Sequence, residues 1–328
     1  MKKQKLTFQG ILSKYGMVFV LVIMFIILCL VNQNFRTLNN FINILTQTSI
    51  FGIMALGMTL VIISKGIDLS VGSVLALAAV VAASLGQTSA ATSKLFPNLP
   101  QMPLIVPLFV ALLIGGLCGA IDGWLVAFTG IPAFIATLGM TNIARGAALL
   151  YTGGKPVSTL LPGFKYIGSA RILGIPMPVI IFILMIILTA ILLNHTRFGK
   201  YIYAIGGNMG AAVVSGVNVK KILIWVYAYC GILTGVAAII FAGRTQSAHP
   251  GAASGYELTA IAATTIGGTS QSGGIGTVWG AVVGALILAV MRNGMTILGV
   301  QAYWQQIVEG LVIVVSVIID MRKNARKA

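Results

Sequence analysis

The stretch from 176 to 194 reads PMPVIIFILMIILTAILLN and contains no charged side chain. An α-helix rises about 1.5 Å per residue, so a stretch of this length reaches about 28 Å, close to the thickness of the hydrocarbon core of a bilayer. Its polarity does not alternate as that of a membrane-barrel strand would. The stretch is therefore predicted to cross a membrane as an α-helix.

The whole chain of 328 residues shares this apolar character. Hydrophobic residues make up 58% of it and charged residues only 8%, and the mean hydropathy is +1.01. About a quarter of the residues in a typical soluble domain are charged. Because a helix satisfies its own backbone hydrogen bonds in lipid, the predicted fold class is an all-α integral membrane protein.

Apolar runs separated by polar segments predict about ten transmembrane helices. The first five runs lie near 16–32, 41–63, 70–86, 103–127 and 131–151, and the second five near 176–194, 222–242, 256–268, 275–291 and 304–320. The eighth run is short and ends in the Gly-rich segment 267–274. It is therefore a full span, a half-helix or a re-entrant segment.

The net charge of +16 orients the chain in the membrane. If the N-terminus is inside, thirteen of the 21 Lys and Arg residues fall in cytoplasmic segments and seven in outer segments. Basic residues favour cytoplasmic loops, so both termini are predicted to be cytoplasmic. Basic residues at the ends of spans give no reason to expect a nucleic-acid partner.

Two similar motifs open the third and the eighth run. They read GIDLS at 66–70 and GYELT at 255–259, in both cases Gly, any residue, an acid, Leu and a hydroxyl residue. An offset of five spans inverts the second half, which is the pattern of inverted-repeat transporters with broken helices. Chance similarity in Gly-rich sequence is the alternative. We predict one transmembrane domain over 1–328, with halves of about 1–172 and 173–328.

Motifs for catalysis or metal binding are missing from the sequence. It contains no GxxxxGK[ST] phosphate loop, its two histidines stand in no zinc motif, and its three cysteines fall within apolar runs. We therefore predict no catalytic residue, metal site or cofactor in this chain, and a membrane-embedded enzyme is disfavoured.

The few polar side chains in the spans allow two interpretations. Asp68 and Glu257 follow breaks in apolar runs, where each carboxylate either caps a helix N-terminus or braces a broken segment, against Arg145 or Arg292. A second group lies deeper and either joins helices or lines a pathway. Its members are Thr141, Asn142, Arg145, Gln305 and Glu309.

The longest interior segment predicted to be cytoplasmic is 195–221. Gly206 to Asn208 break it, and the small residues from Gly210 to Gly216 can form a short helix. We predict a helix from Asn208 to Val219. The segment is either an element that docks on a partner or an ordinary basic loop at the membrane face.

A series of motifs in one order covers nearly the whole chain. They are NILTQTS at 43–49, ALGMTLVI at 55–62, GIDLSVGS at 66–73, TRFGK at 196–200, IGGN at 205–208, SGVNV at 215–219, GYELTAIA at 255–262, GGTS at 267–270 and YWQ at 303–305. With these motifs the sequence resembles the permease subunits of bacterial ABC importers for pentoses and hexoses, the ribose, galactoside and allose branch.

That resemblance implies a non-catalytic subunit of the bacterial cytoplasmic (inner) membrane. Its expected partners are a separate ABC ATPase, which holds ATP and Mg, a periplasmic or extracellular sugar-binding protein, and a second permease copy or close paralogue. The segment 195–221 resembles the coupling loop, whose family element reads Glu-Ala-Ala-x-x-x-Gly, and here Gly210 replaces the acid. The residues expected to contact the ATPase are Asn208, Gly210, Ala211, Ala212, Ser215 and Gly216.

The resemblance also implies a polar pathway that holds its sugar weakly, because a binding protein selects the cargo. The candidate lining residues come from both halves: Asn43, Gln47, Phe134, Asn142, Tyr303 and Gln305. The sugar stays open, since 66–73 looks ribose-like and 303–305 looks closer to galactoside permeases. An ion-coupled secondary sugar transporter is the alternative, disfavoured by only five acidic residues.

Overall fold

The computed structural model describes residues 8–325 of the chain. Residues 1–7 and 326–328 lie outside the described residues, and with them several basic residues of the orientation prediction, namely Lys2, Lys3, Lys5, Arg326 and Lys327. The described part is helical apart from short strands and connecting segments.

The helices of the described residues are α1 (Phe8–Val31), α2 (Leu38–Ile63), α3 (Val71–Leu85), α4 (Ile105–Trp124), α5 (Ala133–Thr152), α6 (Pro162–Ser169), α7 (Met177–His195), α8 (Arg197–Gly207), α9 (Met209–Val214), α10 (Val219–Thr245), α11 (Tyr256–Ile266), α12 (Val278–Ile297) and α13 (Ala302–Ala325). A 3-10 turn at Gln33–Arg36 precedes α2, and a π-helical turn at Leu125–Thr129 extends α4. The strands are β1 (Val157–Ser158), β2 (Arg171–Ile172), β3 (Ile175–Pro176) and β4 (Ser247–Ala248), and β1 pairs with β4 as β2 pairs with β3.

The all-α membrane class predicted from the sequence is confirmed. Among the described residues, seven helices are long and apolar enough to cross a membrane: α2, α4 with its π-turn, α5, α7, α10, α12 and α13. The apolar part of α1, Gly16–Val31, and α3 are shorter. The eighth predicted span holds only α11, whose 11 residues reach about 16 Å, so this helix by itself is too short to cross the hydrocarbon core.

The core of the bundle forms around α2 and α10. In an apolar stretch of 18 residues within α2, 83% of the residues are buried inside the chain, and in the corresponding stretch of α10, 67% are buried. Glycines bring α10 and α4 into backbone contact, because a Cβ at Gly115 or Gly119 would collide with the carbonyl of Gly231 or Tyr227. Small residues at every fourth position allow such close approach between helices in a membrane.

The two halves of the chain repeat their helix contacts with an offset of five spans. Helix α3 packs on α10, α4 and α5, whereas α11 packs on α2, α12 and α13. Likewise α4 packs on α10 as α12 packs on α2. Helices α1 and α7 depart from this pattern, since α1 packs on α12 and α7 on α2. The correspondence favours an internal repeat over chance similarity of the two motifs.

The connecting segments meet in two groups at opposite ends of the bundle. In one group, Gly274 N donates to Ile63 O at 2.8 Å and the Tyr203 hydroxyl donates to Gly276 O at 2.7 Å. In the other group, β1 pairs with β4 and Thr88 N donates to the carbonyl of Thr159 at 2.9 Å. The first group contains segments predicted to be cytoplasmic and the second contains segments predicted to be outer.

Candidate functional site

A non-helical segment joins α2 to α3 inside the bundle. The Thr141 hydroxyl lies 2.8 Å from Leu69 O, and the Thr137 hydroxyl lies 3.5 Å from Ile67 O. From the opposite side, the Tyr227 hydroxyl donates to Ile67 O at 3.2 Å. Since Thr137 and Thr141 are one turn apart on α5, the segment runs alongside that helix. Each of these two hydroxyls also lies 2.8 Å from a carbonyl of its own helix, Ala133 O for Thr137 and Thr137 O for Thr141, and has only one hydrogen to share between the two acceptors.

A second non-helical segment, 246–255, joins α10 to α11. Nη1 of Arg145 donates to Pro250 O and to Ala252 O, both at 2.7 Å. Arg145 lies one turn beyond Thr141, so Thr137, Thr141 and Arg145 form a row at every fourth position of α5, which we call the contact row. One helix of the first half therefore holds the interrupted segments of both halves.

The first turns of α3 and α11 meet about halfway along α5. A Cβ at Gly72 would collide with Glu257 Oε2 and would lie 2.6 Å from Ala253 O. The other carboxylate oxygen of Glu257 accepts a hydrogen bond from Gly255 N at 3.1 Å. A carboxylate at the N-termini of two helices is stabilised by their dipoles. Only glycine leaves room for Glu257 at position 72.

Asp68 lies at the start of α3 and is 1% exposed. Its Oδ1 accepts hydrogen bonds from Ser70 N at 2.9 Å and from Ser70 Oγ at 2.7 Å. Asp68 and Glu257 therefore both lie beside the first turn of a helix that follows an interruption. Of the two expected cationic partners, Arg145 binds the carbonyls of 250 and 252 with Glu257 nearby, and Arg292 pairs with a different acid.

Arg292 joins four helices through one side chain. Its guanidinium forms an ion pair with Glu309 of α13, and Nη2 also donates to the Thr259 hydroxyl of α11 at 2.6 Å. The Phe51 ring of α2 lies 4.6 Å from the guanidinium carbon. Of the two roles considered for Glu309, joining helices and lining a pathway, this arrangement favours joining helices.

The sequence assigned no role to Asp122, which the structure places beside Asp68. Asp122 is completely buried near the end of α4, and its Oδ2 lies 3.1 Å from Ser70 Oγ. A carboxyl group within an apolar span is costly to bury, so the position of Asp122 in an apolar run was the feature of the sequence that could have marked this residue. Its partner could not be predicted, because 52 residues separate Asp122 from Ser70.

The six candidate pathway residues lie on α2, α5 and α13. Phe134 and Tyr303 are 53% and 77% exposed, Asn43 and Asn142 are also exposed, and Gln305 is half-buried. Gln47 is half-buried too. The structure does not bring the six into one cluster, since α5 packs mainly on α3 and α13 mainly on α11. They lie on separate surfaces of this one chain.

The segment predicted to couple with an ATPase contains two short helices, α8 and α9. The Asn208 side chain accepts a hydrogen bond from Ala211 N at 3.0 Å and caps α9. Ala211 and Val214 are exposed, with 89% exposure at Val214, but Ala212 is 3% exposed and packs against the chain's own Ile205. Ala212 therefore faces inward. Gly210, Ser215 and Gly216 are also exposed.

The predicted helix from Asn208 to Val219 is wrong in its extent. Helix α9 ends at Val214, because Gly216 has a φ of 81°, a left-handed conformation typical of helix C-termini. Asn218 then accepts a hydrogen bond from Lys221 N at 3.0 Å and caps the start of α10. Residues 208–219 therefore contain two capped helix starts, at Asn208 and Asn218, instead of one continuous helix.

Tyr203 and Gly206 attach this segment to the rest of the bundle. The Tyr203 hydroxyl donates to Gly276 O at 2.7 Å, and burial raises the pKa of this phenol. At Gly206 a Cβ would collide with Ile63 O, and it would lie 2.5 Å from Gly274 N. The segment thus packs against the end of α2 and against the connection from α11 to α12.

The fold and the site define a multi-pass helical membrane protein in which two interrupted segments meet at the centre of the bundle. Comparison with known proteins identifies the class further. A family model described as the branched-chain amino acid transport system / permease component matches residues 40–317. The match covers most of the chain, and the chain belongs to this family.

Curated relatives are sugar import permeases. The chain is 44% identical over 242 residues to the ribose import permease protein RbsC of Escherichia coli strain K12, covering 73% of this chain and 72% of that protein. It is 38% identical over 259 residues to RbsC of Bacillus subtilis, covering 78% and 77%. It is 40% identical over 264 residues to the galactose/methyl galactoside import permease protein MglC of Escherichia coli strain K12, covering 77% and 78%. No solved structure matches the chain significantly.

These comparisons confirm the resemblance to permease subunits of ABC sugar importers. They favour a permease component, a membrane subunit, over an ion-coupled carrier.

Proposed function

We propose that this chain carries a monosaccharide of the ribose or galactose kind across the bacterial cytoplasmic membrane into the cell. The observation that carries the proposal is its 44% identity to a ribose import permease over 73% of the chain. Identity of 40% to a galactoside import permease keeps both sugars in the proposal. The energy comes from ATP and Mg on a separate ATPase subunit.

The ATPase contacts the exposed side of α9 and the turn that follows it. This surface is formed by Met209, Gly210, Ala211, Val213, Val214, Ser215 and Gly216. Small and aliphatic side chains there allow a partner groove to approach the backbone closely. Asn208 and Ala212 contribute indirectly. Asn208 stabilises α9 as its N-cap, and the buried Ala212 packs α9 onto α8 and α10.

The translocation pathway lies between α5 and α13 of two permease copies or close paralogues. In an apolar stretch of 18 residues within α13, no residue is buried inside the chain, and in the corresponding stretch of α5 only 28% of the residues are buried. Asn142, Tyr303 and Gln305 lie on these surfaces. Polar side chains are costly against lipid, so a facing copy and a hydrated pathway suit these surfaces better.

A sugar-binding protein delivers the cargo at the end of the bundle that contains β1 and β4, and both termini are cytoplasmic. Basic residues support this orientation, because thirteen of the 21 Lys and Arg residues fall in segments predicted to be cytoplasmic and seven in outer segments. Among the thirteen, Lys65, Lys200, Lys220 and Lys221 lie beside α8 and α9, at the opposite end from β1 and β4.

Reconstitution with the ATPase subunit tests the proposal. ATP turnover is measured with binding proteins loaded with ribose, with galactose or with no sugar. We expect one loaded binding protein to raise turnover above the unloaded control. Equal turnover with all three would contradict the proposed coupling.

A further inference from the structure

Ser70 connects two carboxyl groups that are both inaccessible to solvent. Its Oγ lies 2.7 Å from Asp68 Oδ1 and 3.1 Å from Asp122 Oδ2. Asp68 is 1% exposed and Asp122 is 0% exposed. The three residues join the segment before α3, the N-cap of α3 and the end of α4.

The hydrogens available at this site cannot satisfy both contacts if both carboxyl groups are ionised. A serine hydroxyl has one hydrogen, and an ionised carboxylate only accepts. Either the contact of Ser70 Oγ with Asp68 Oδ1 or its contact with Asp122 Oδ2 would then have no hydrogen between the two oxygens. A single added proton on one carboxyl group turns both contacts into hydrogen bonds.

The surroundings indicate which carboxyl group holds this proton. Asp68 Oδ1 accepts two hydrogen bonds, from Ser70 N at 2.9 Å and from Ser70 Oγ at 2.7 Å. Asp122 Oδ1 has no hydrogen-bond partner among the described residues. Asp68 is thus suited to be the ionised acceptor, and Asp122 to be the acid that donates.

The groups that face the pair provide no positive charge among the described residues. They are Cys118 of α4 and Tyr227 and Cys230 of α10. Two adjacent negative charges in such a site would each require desolvation and would repel each other. A proton removes one of the charges.

We propose that Asp122 is a proton-binding site and holds its proton at neutral pH. The resulting chain runs from Asp122 Oδ2–H to Ser70 Oγ and from Ser70 Oγ–H to Asp68 Oδ1. It fixes the start of α3 to α4, so Asp122 is a positioning residue for the interrupted segment. This inference is independent of the transported substrate.

Infrared spectroscopy of the purified chain at neutral pH tests the proposal directly. We expect the C=O stretching band of a protonated carboxyl group in the wild type and its loss in Asp122→Asn. Glu309→Gln is the matched control, because Glu309 is ion-paired with Arg292 and its replacement should keep the band. Absence of the band from the wild type would overturn the proposal without any variant, and so would its persistence in Asp122→Asn.

Thermal stability provides a second readout. An asparagine amide can donate to Ser70 Oγ as the neutral acid does, so Asp122→Asn should retain the wild-type transition temperature. Asp122→Ala removes the donor and should lower it. If Asp122→Asn is destabilised as much as Asp122→Ala, Asp122 is not a neutral donor.

Discussion

Gly72 lies where the first turns of α3 and α11 meet, and its missing side chain makes room for Glu257. Gly72→Ala would place a Cβ against Glu257 Oε2 and the Ala253 carbonyl. Overpacking of this kind costs about 1 to 3 kcal/mol, so we expect a lower transition temperature for the purified chain in detergent.

Gly139→Ala is the matched control for this prediction, because Gly139 is in helix α5 and a Cβ there meets no atom within 4 Å. It should leave stability unchanged or raise it by up to about 1 kcal/mol, since alanine favours a helix. If both variants have the same transition temperature, the close contact between α3 and α11 is wrong.

At the residue scale, sequence reasoning identified Asp68 and Glu257 from their positions after breaks in apolar runs. It could not assign their partners. Ser70, Asp122 and Cys230 come together only through the packing of α3 between α4 and α10. The role of Arg145 was equally hidden, because its acceptors are backbone carbonyls more than 100 residues away.

At the scale of single elements, the contact row of α5 (Thr137, Thr141 and Arg145) touches both non-helical segments. Arg145→Met should leave the carbonyls of Pro250 and Ala252 without their donor, at a cost of about 1 to 3 kcal/mol per buried group. We expect a clear loss of thermal stability. Arg145→Lys, which keeps a charged donor, should lose less, because its ammonium can still reach one of the carbonyls.

Arg171→Met provides a matched control for Arg145, since Arg171 is exposed on β2. It should match the wild type in transition temperature. An Arg145→Met protein as stable as Arg171→Met would show that the row does not hold the 246–255 segment.

Helix α9 provides a prediction that separates docking from folding. Ala211 is exposed and Ala212 is buried one position further along. Ala211→Trp should leave the transition temperature of the isolated chain unchanged and abolish copurification with the ATPase. Ala212→Trp should instead destabilise the isolated chain. Normal ATPase assembly of Ala211→Trp would contradict docking at α9.

The spans were predictable at this scale because lipid imposes long apolar helices. The run at 176–194, for example, agrees with α7 to within one residue at each end. Helices α6 and α8 and the 208–219 segment were not predictable in the same way. Their ends depend on caps and left-handed residues such as Gly216, and on packing against neighbouring segments.

At the scale of the whole molecule, the exposed faces of α5 and α13 predict weak binding of sugar to the isolated chain. Under the proposed function a complete pocket requires two permease copies or close paralogues, and a permease supplied by a binding protein must release its cargo. Isothermal calorimetry should therefore detect no site with a dissociation constant near a micromolar. Such a site would represent roughly 8 kcal/mol of binding free energy and would contradict a low-affinity pathway.

ATP bound to a separate subunit is proposed to drive this permease. The most direct measurement is uptake of labelled ribose and galactose into proteoliposomes that contain the chain, its ATPase subunit and the loaded binding protein. We predict uptake of one sugar only when ATP is present on the ATPase side, and no uptake when a proton or sodium gradient replaces ATP. Uptake driven by an ion gradient without ATP would contradict ATP-driven import by this permease.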